Sequence, residues 1–339
     1  MSSNNTDLFP PNYSNCDEVD DRCAIEFTVY GTELSGPAAV FFAIVYILLL
    51  LAQLYFGFRG RMWSFTIWLG LGSLLEILGY LGRFALSRNP WELNAFIVQY
   101  VCLLLAPTLV AAAISVTFKH LVIWYGSRWS LLRPRLYPWV FVGTDFISIF
   151  IQVIGGGVSA QNAAGEGNET TQTLAEALII GGVAFQVANM LCCAALMLVY
   201  ARRRRSEIGK GFMSIDSQAN LTPGTYGAPP RGPVPTSRSE ATLEEAKRVR
   251  WFIYGLGLAY TLIIIRCIYR IAETIPEISL EVMRNEPLFL VFDGAMIFIA
   301  VLTVTVLHPQ RCFPFLGLKA RDRPSNSPSE VEMQGRARQ

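Results

Sequence analysis

Residues 36–58 read GPAAVFFAIVYILLLLAQLYFGF, and no charged side chain interrupts them. As an α-helix rising 1.5 Å per residue the stretch is about 34 Å long, enough to cross a hydrocarbon core of about 30 Å. Six further apolar blocks follow, at about 64–86, 96–124, 138–160, 174–200, 249–273 and 286–308. The chain has 339 residues, 52% apolar and only 16% charged, too little charge to clothe seven such helices as a soluble domain. The expected fold is all-α, a polytopic membrane protein whose seven transmembrane helices form a bundle over residues 36–308.

The distribution of cations orients this bundle. Arg22, Arg88 and Arg284 are the only Lys or Arg on one side, whereas the other holds Arg59, Arg61, Arg128, Arg133, Arg135, the Arg202–Arg205 run and the C-terminal cations. Under the positive-inside rule the N-terminus is outside and the C-terminus inside. Residues 1–35 then form an acidic extracytoplasmic tail. Its sequons at Asn4 and Asn12, with a third at Asn168, all fall on the side where glycosylation takes place. Cys16 and Cys23 lie in the same tail, where an oxidising compartment permits a disulfide; two unrelated thiols are the alternative. Residues 201–248, rich in Pro, Gly and Ser, are expected to be a flexible cytoplasmic loop, and 309–339 a disordered cytoplasmic tail.

Ionisable residues inside the apolar blocks point to function, because each charge at the bilayer centre costs about 2.5–3.5 kcal/mol unless it is paired or faces a wet path. Glu76 and Arg83 share one face of helix 2, two turns apart, with Tyr80 between them. Asp145 and Gln152 share a polar stripe of helix 4, ahead of Gly155-Gly156-Gly157; Arg266, Arg270 and Glu273 share a face of helix 6; Asp293 lies in helix 7. Pro107 in helix 3 kinks it and frees a carbonyl. These nine residues, Glu76, Tyr80, Arg83, Asp145, Gln152, Arg266, Arg270, Glu273 and Asp293, are the candidate substrate-binding or transport set. Glu76, Gln152 and Glu273 are the expected lining of a polar hollow that takes a head group while apolar walls hold its tail. The alternative is that the charges pair only to hold the helices in register.

Two histidines are too few for a three-histidine zinc site. Neither a phosphate-binding Gly-x-x-x-x-Gly-Lys loop nor a serine nucleophile elbow is present. No enzyme activity, no cofactor, no metal and no nucleic-acid partner is therefore expected.

The ordered set Glu-x-x-Gly-Tyr-x-x-Arg at 76–83, Leu-Ala-Pro at 105–107, Asp-x-x-Ser-x-x-x-Gln-x-x-Gly-Gly-Gly at 145–157, Arg-x-x-Tyr-Arg-x-x-Glu at 266–273, Glu286 with Asp293, and His308-Pro309 resembles the fungal lipid-translocating exporter family. That resemblance implies a seven-helix fungal protein of the plasma membrane, or of a vacuolar or other endomembrane. It also implies transport of sphingoid long-chain bases or sterol-like toxic amphiphiles, with membrane lipids and an amphipathic small molecule as partners. The expected function is ATP-independent translocation of amphipathic lipid, contributing to lipid asymmetry or drug resistance. A heptahelical receptor or lipid sensor is the alternative, although helix 3 ends Phe118-Lys119-His120 without an acidic-Arg-Tyr triplet.

Overall fold

The computed structural model describes residues 11, 13, 15–125, 136–163, 168–219 and 236–308. Asn4, Asn12 and the tail 309–339 lie outside them. Helix α1 spans Gly36–Gly60, α2 Trp63–Arg88, α3 Leu93–Tyr125, α4 Leu136–Ala163, α5 Glu169–Ala219 and α6 Thr236–Thr274. A short α7, Pro276–Arg284, leads into α8, Glu286–Val306. Seven of these, all but α7, are long and apolar enough to cross a membrane, and among the described residues there is no strand. The protein is an integral membrane protein.

Local chemistry sets several ends. Ser35 caps α1 by accepting the Ala38 N–H at 3.4 Å, with Pro37 in the first turn. Arg61, at φ 50°, takes the left-handed conformation that ends α1 before α2 begins. Composition and structure differ over 201–248: α5 continues to Ala219 and α6 already starts at Thr236. The Arg, Glu, Lys and Met residues after 201 are good helix formers, whereas the first proline of the stretch is Pro223.

Glycines let neighbouring helices close in, as small residues do in membranes. A methyl group on Gly79 of α2 would lie 2.6 Å from Leu103 Cδ2, and one on Gly82 3.0 Å from the Ala95 carbonyl oxygen of α3. The same contact recurs between α4 and α5, where a methyl on Gly155 would lie 2.9 Å from the Ala175 carbonyl oxygen. A buried relay ties α1, α2 and α8: Ser73 Oγ donates to Gln53 Oε1 at 3.0 Å, and Gln53 Nε2 donates to Thr305 Oγ1 at 3.0 Å. Outward-facing positions such as Phe41, Leu48, Leu51 and Phe58 are exposed and apolar, the surface a hydrocarbon environment requires. At the end of the bundle where α1 begins, the preceding segment is fastened by a Cys16–Cys23 disulfide. Trp91 Nε1 donates to the Cys23 carbonyl at 3.0 Å, and the Trp91 ring packs 5.2 Å from that of Tyr13.

Candidate functional site

The charged residues of α6 meet one carboxylate of α8. Asp293 Oδ1 lies 3.0 Å from Arg266 Nη2 and 2.8 Å from Arg270 Nη2, and Arg270 Nη1 donates to Glu273 Oε2 at 2.8 Å. Asp293 is completely buried, in a π-helical turn at Phe289–Ala295. Such turns widen a helix locally and recur at functional sites. Arg266 makes a second contact, donating from Nη2 to the Leu103 carbonyl oxygen at 2.6 Å. Pro107, four residues on, has no N–H for that carbonyl, so the guanidinium takes the place of the missing helical donor.

Arg83 does not pair with Glu76. It reaches Glu286 Oε1 at 3.2 Å and lies 4.0 Å from the centre of the Phe289 ring. The same Glu286 oxygen accepts the Ser35 N–H at 2.7 Å, joining α1, α2 and α8 at one point. Glu76 is fully buried, and neither of its oxygens has a hydrogen-bond partner among the described residues. Tyr80, one turn along, stacks on Phe42 at 4.9 Å and on Tyr46 at 5.8 Å.

A second polar set lies between α4 and α5. Asn189 Nδ2 donates to Asp145 Oδ1 at 2.7 Å, and Gln152 Nε2 to Gln186 Oε1 at 3.1 Å. Asp145 therefore meets an amide rather than the arginines of α6. His308 is buried between Phe56 and Phe65, its ring centre 5.8 and 5.0 Å from theirs.

Beside the α6 charges, at the end of the bundle where α1 begins, lies a cavity of about 430 Å³ between α3, α4, α5 and α6. This is within the range of small-molecule sites. Phe96, Leu104, Val153 and Val183 give it apolar walls, while Arg270, Glu273 and Glu176 supply its charges. Gly156 and Gly157 border it, and a methyl group on either would meet nothing within 4 Å. Tyr13 and Val29 of the segment before α1 close one side, with the Val29 N–H donating to Tyr13 Oη at 3.2 Å. Burial raises the Tyr13 phenol, against that hydrogen bond, and pushes the nearby Tyr30 phenol up to about 12, so both remain neutral.

Of the expected lining Glu76, Gln152 and Glu273, only Glu273 borders this cavity, together with Arg270. Glu76, Tyr80, Arg83, Arg266 and Asp293 sit in the packed interior behind it, and Asp145 and Gln152 are engaged with α5. Sequence reasoning missed Glu176 and Tyr13, and it quoted Glu286 beside Asp293 without placing it in the candidate set. Glu176 reads as an ordinary acid near a helix start and Tyr13 as tail; nothing in their spacing links either to α6.

Seven apolar spans around a buried ion network, with a cavity of apolar and charged walls at one end, define a polytopic membrane protein. The chain belongs to the RTA1 like protein family, whose model matches residues 69–315. It is similar to the sphingoid long-chain base transporter RSB1 of Saccharomyces cerevisiae, 29% identical over 264 residues, 75% of this chain and 66% of that protein. It is also similar to protoporphyrin uptake protein 1 of Saccharomyces cerevisiae, 28% identical over 237 residues, 69% of this chain and 65% of that protein. A third relative is the probable lipid transporter atnI of Emericella nidulans, 23% identical over 246 residues, 71% of this chain and 57% of that protein. The matches thus span no more than about two thirds of these relatives' own lengths. No solved structure matches the chain.

Proposed function

We propose that this protein translocates amphipathic lipids across the bilayer without hydrolysing ATP, with a single-chain amine of the sphingoid type as the favoured cargo. The observation that carries the reading is the cavity of about 430 Å³: hydrocarbon-like walls on three helices and a charged wall at Arg270, Glu273 and Glu176. Arg270 is already paired with Glu273 and Asp293, which leaves Glu176 as the charge offered to a cationic head group. The names of two of the three relatives described, a long-chain base transporter and a lipid transporter, support the same reading.

In this reading the nine intramembrane residues divide the work. Arg270 and Glu273 meet cargo; Glu76, Tyr80, Arg83, Arg266 and Asp293 form the frame that holds α2, α6 and α8 and rearranges as cargo passes; Asp145 and Gln152 fix α4 against α5. The cavity faces the extracytoplasmic side, with residues 1–35 outside and the basic segments 201–248 and 309–339 in the cytoplasm, as the cation bias requires. Asn168, exposed ahead of α5, is then a glycan acceptor. A mobility shift on glycosidase treatment that is smaller in Asn168→Gln than in the wild type tests that orientation. The plasma membrane is the proposed location.

The deciding experiment is reconstitution into liposomes with a fluorescent sphingoid base. Exchange between leaflets above that of empty vesicles is the expected result. No exchange, with ligand-dependent coupling to a G protein in cells, would replace this reading with a receptor.

A further inference from the structure

Among the described residues the buried ion network is unbalanced. Arg83 is taken by Glu286. Arg266, and Arg270 at the cavity wall, are left to face Asp293, Glu273 and Glu76. Asp293 contacts both guanidiniums and Glu273 contacts one, whereas Glu76 contacts neither within hydrogen-bond distance. Three carboxyl groups thus meet two cations, and of the three Glu76 and Asp293 are wholly buried. A carboxylate with no donor in such a place sheds its charge by taking a proton. Glu76 is the member of the set without a donor, so the proton belongs there.

The surroundings of Glu76 supply no substitute. Among the described residues, the titratable and charged groups that face it are Tyr46 of α1, Tyr80 of α2, Cys102 of α3, Arg266 and Arg270 of α6, and Asp293 of α8. Tyr80 also bears on Gly294, where a methyl group would lie 2.9 Å from its hydroxyl oxygen. Gly294 is the residue after Asp293, inside the π-helical turn. The helix that carries Glu76 therefore touches the turn that carries its rival for the arginines.

We propose that Glu76 is a proton-binding site whose occupancy decides which carboxylate holds Arg266. With Glu76 protonated, Asp293 keeps both guanidiniums, the arrangement described above. When the Glu76 O–H bond breaks, the proton passes to water admitted as the helices part, and the new carboxylate draws Arg266 from Asp293. The π-helical turn and α2 shift against each other, and proton uptake reverses the step. A proton gradient then becomes a source of energy for the bundle. This inference concerns the ion network alone and stands or falls independently of what the cavity carries.

The test is pH-difference infrared spectroscopy of the purified full chain in lipid nanodiscs, from about pH 5 to about pH 9, a range in which an ordinary exposed glutamate stays ionised. The wild type is expected to show a protonated-carboxyl band, sensitive to isotope-labelled glutamate, that is lost in one step as pH rises. Glu76→Gln should lack it. Asp293→Asn should lack it too, because two guanidiniums then face only Glu273 and Glu76 and both stay ionised. A wild type without a label-sensitive titrating band, a band unchanged in Glu76→Gln, or one retained in Asp293→Asn overturns the proposal. The labelled wild type alone can refute it should either variant not fold.

Discussion

The guanidinium of Arg266 on α6 donates to the Leu103 carbonyl oxygen on α3 at 2.6 Å. Two features that look separate in the chain, a proline inside one apolar helix and an arginine inside another, are the two halves of this contact. Pro107 removes a donor, and Arg266 restores one while it holds Asp293 at 3.0 Å. A helix interrupted by proline, a buried cation and a buried anion thereby satisfy one another in the interior of the bundle.

Arg266→Ala leaves the Leu103 carbonyl without a donor and Asp293 with one cation instead of two. Removing one partner of a buried pair costs about 3–5 kcal/mol. The variant should show a markedly lower thermal midpoint in detergent and a smaller folded fraction on size-exclusion chromatography. Arg266→Lys keeps the charge but reaches one acceptor at a time, so its midpoint should fall between those of Arg266→Ala and the wild type. Equal midpoints for all three would remove the contact from the account of stability.

Glycines of the bundle should divide by what their missing side chain would meet. At Gly82 even a methyl would approach the Ala95 carbonyl and the Gln99 amide nitrogen at 3.0 Å, whereas at Gly156 it meets nothing within 4 Å. Gly82→Leu should therefore force α2 from α3, an overpacking cost of about 1–3 kcal/mol or more, and lower the folded yield. Gly156→Leu should fold normally yet fill part of the cavity and slow exchange of a fluorescent sphingoid base. Normal exchange in well-folded Gly156→Leu would move the cargo path elsewhere.

Glu176 is the cavity carboxylate with no cation beside it among the described residues; Gln172 Nε2 donates to its Oε1 at 2.7 Å. Glu176→Gln should weaken binding of a long-chain amine by about tenfold, or about 1.4 kcal/mol. Binding of an uncharged long-chain alcohol should change little. Titration of both ligands by fluorescence quenching compares them directly, and an equal loss for the two would assign Glu176 a packing role.

The segment before α1 closes one side of the cavity only while it is fastened. Cys16→Ser with Cys23→Ser removes a short-loop disulfide, a loss of about 2 kcal/mol in local stability, and loosens the contact of Trp91 with the Cys23 carbonyl. Limited proteolysis should cut within residues 11–35 faster than in the oxidised wild type, and reductant should reproduce the effect. Unchanged cleavage would place the anchoring in the contacts of Tyr13 and Trp91 alone.

Much of this molecule is legible in one dimension. Apolar runs of bilayer length require spanning helices because no other backbone can satisfy its hydrogen bonds in hydrocarbon. The spacing of Arg266, Arg270 and Glu273 places them on one face from the 3.6-residue period alone. Their mutual pairing across helices, and the freeing of a carbonyl by Pro107, follow from the cost of lone buried charge and from the missing N–H. What periodicity could not reach was the choice of partner. Glu76 and Arg83 share a face, yet Arg83 turns to Glu286, 203 positions away, because which side chains meet depends on how close the helices approach and at what register. The same holds for the cavity: Glu273 lines it and Gln152 does not, Glu176 joins it from α5, and Tyr13 closes it from a segment that reads as tail. Sequence sets what each helix must bury. Only packing of the helices against one another decides which charge is left without a partner, and where the hollow lies.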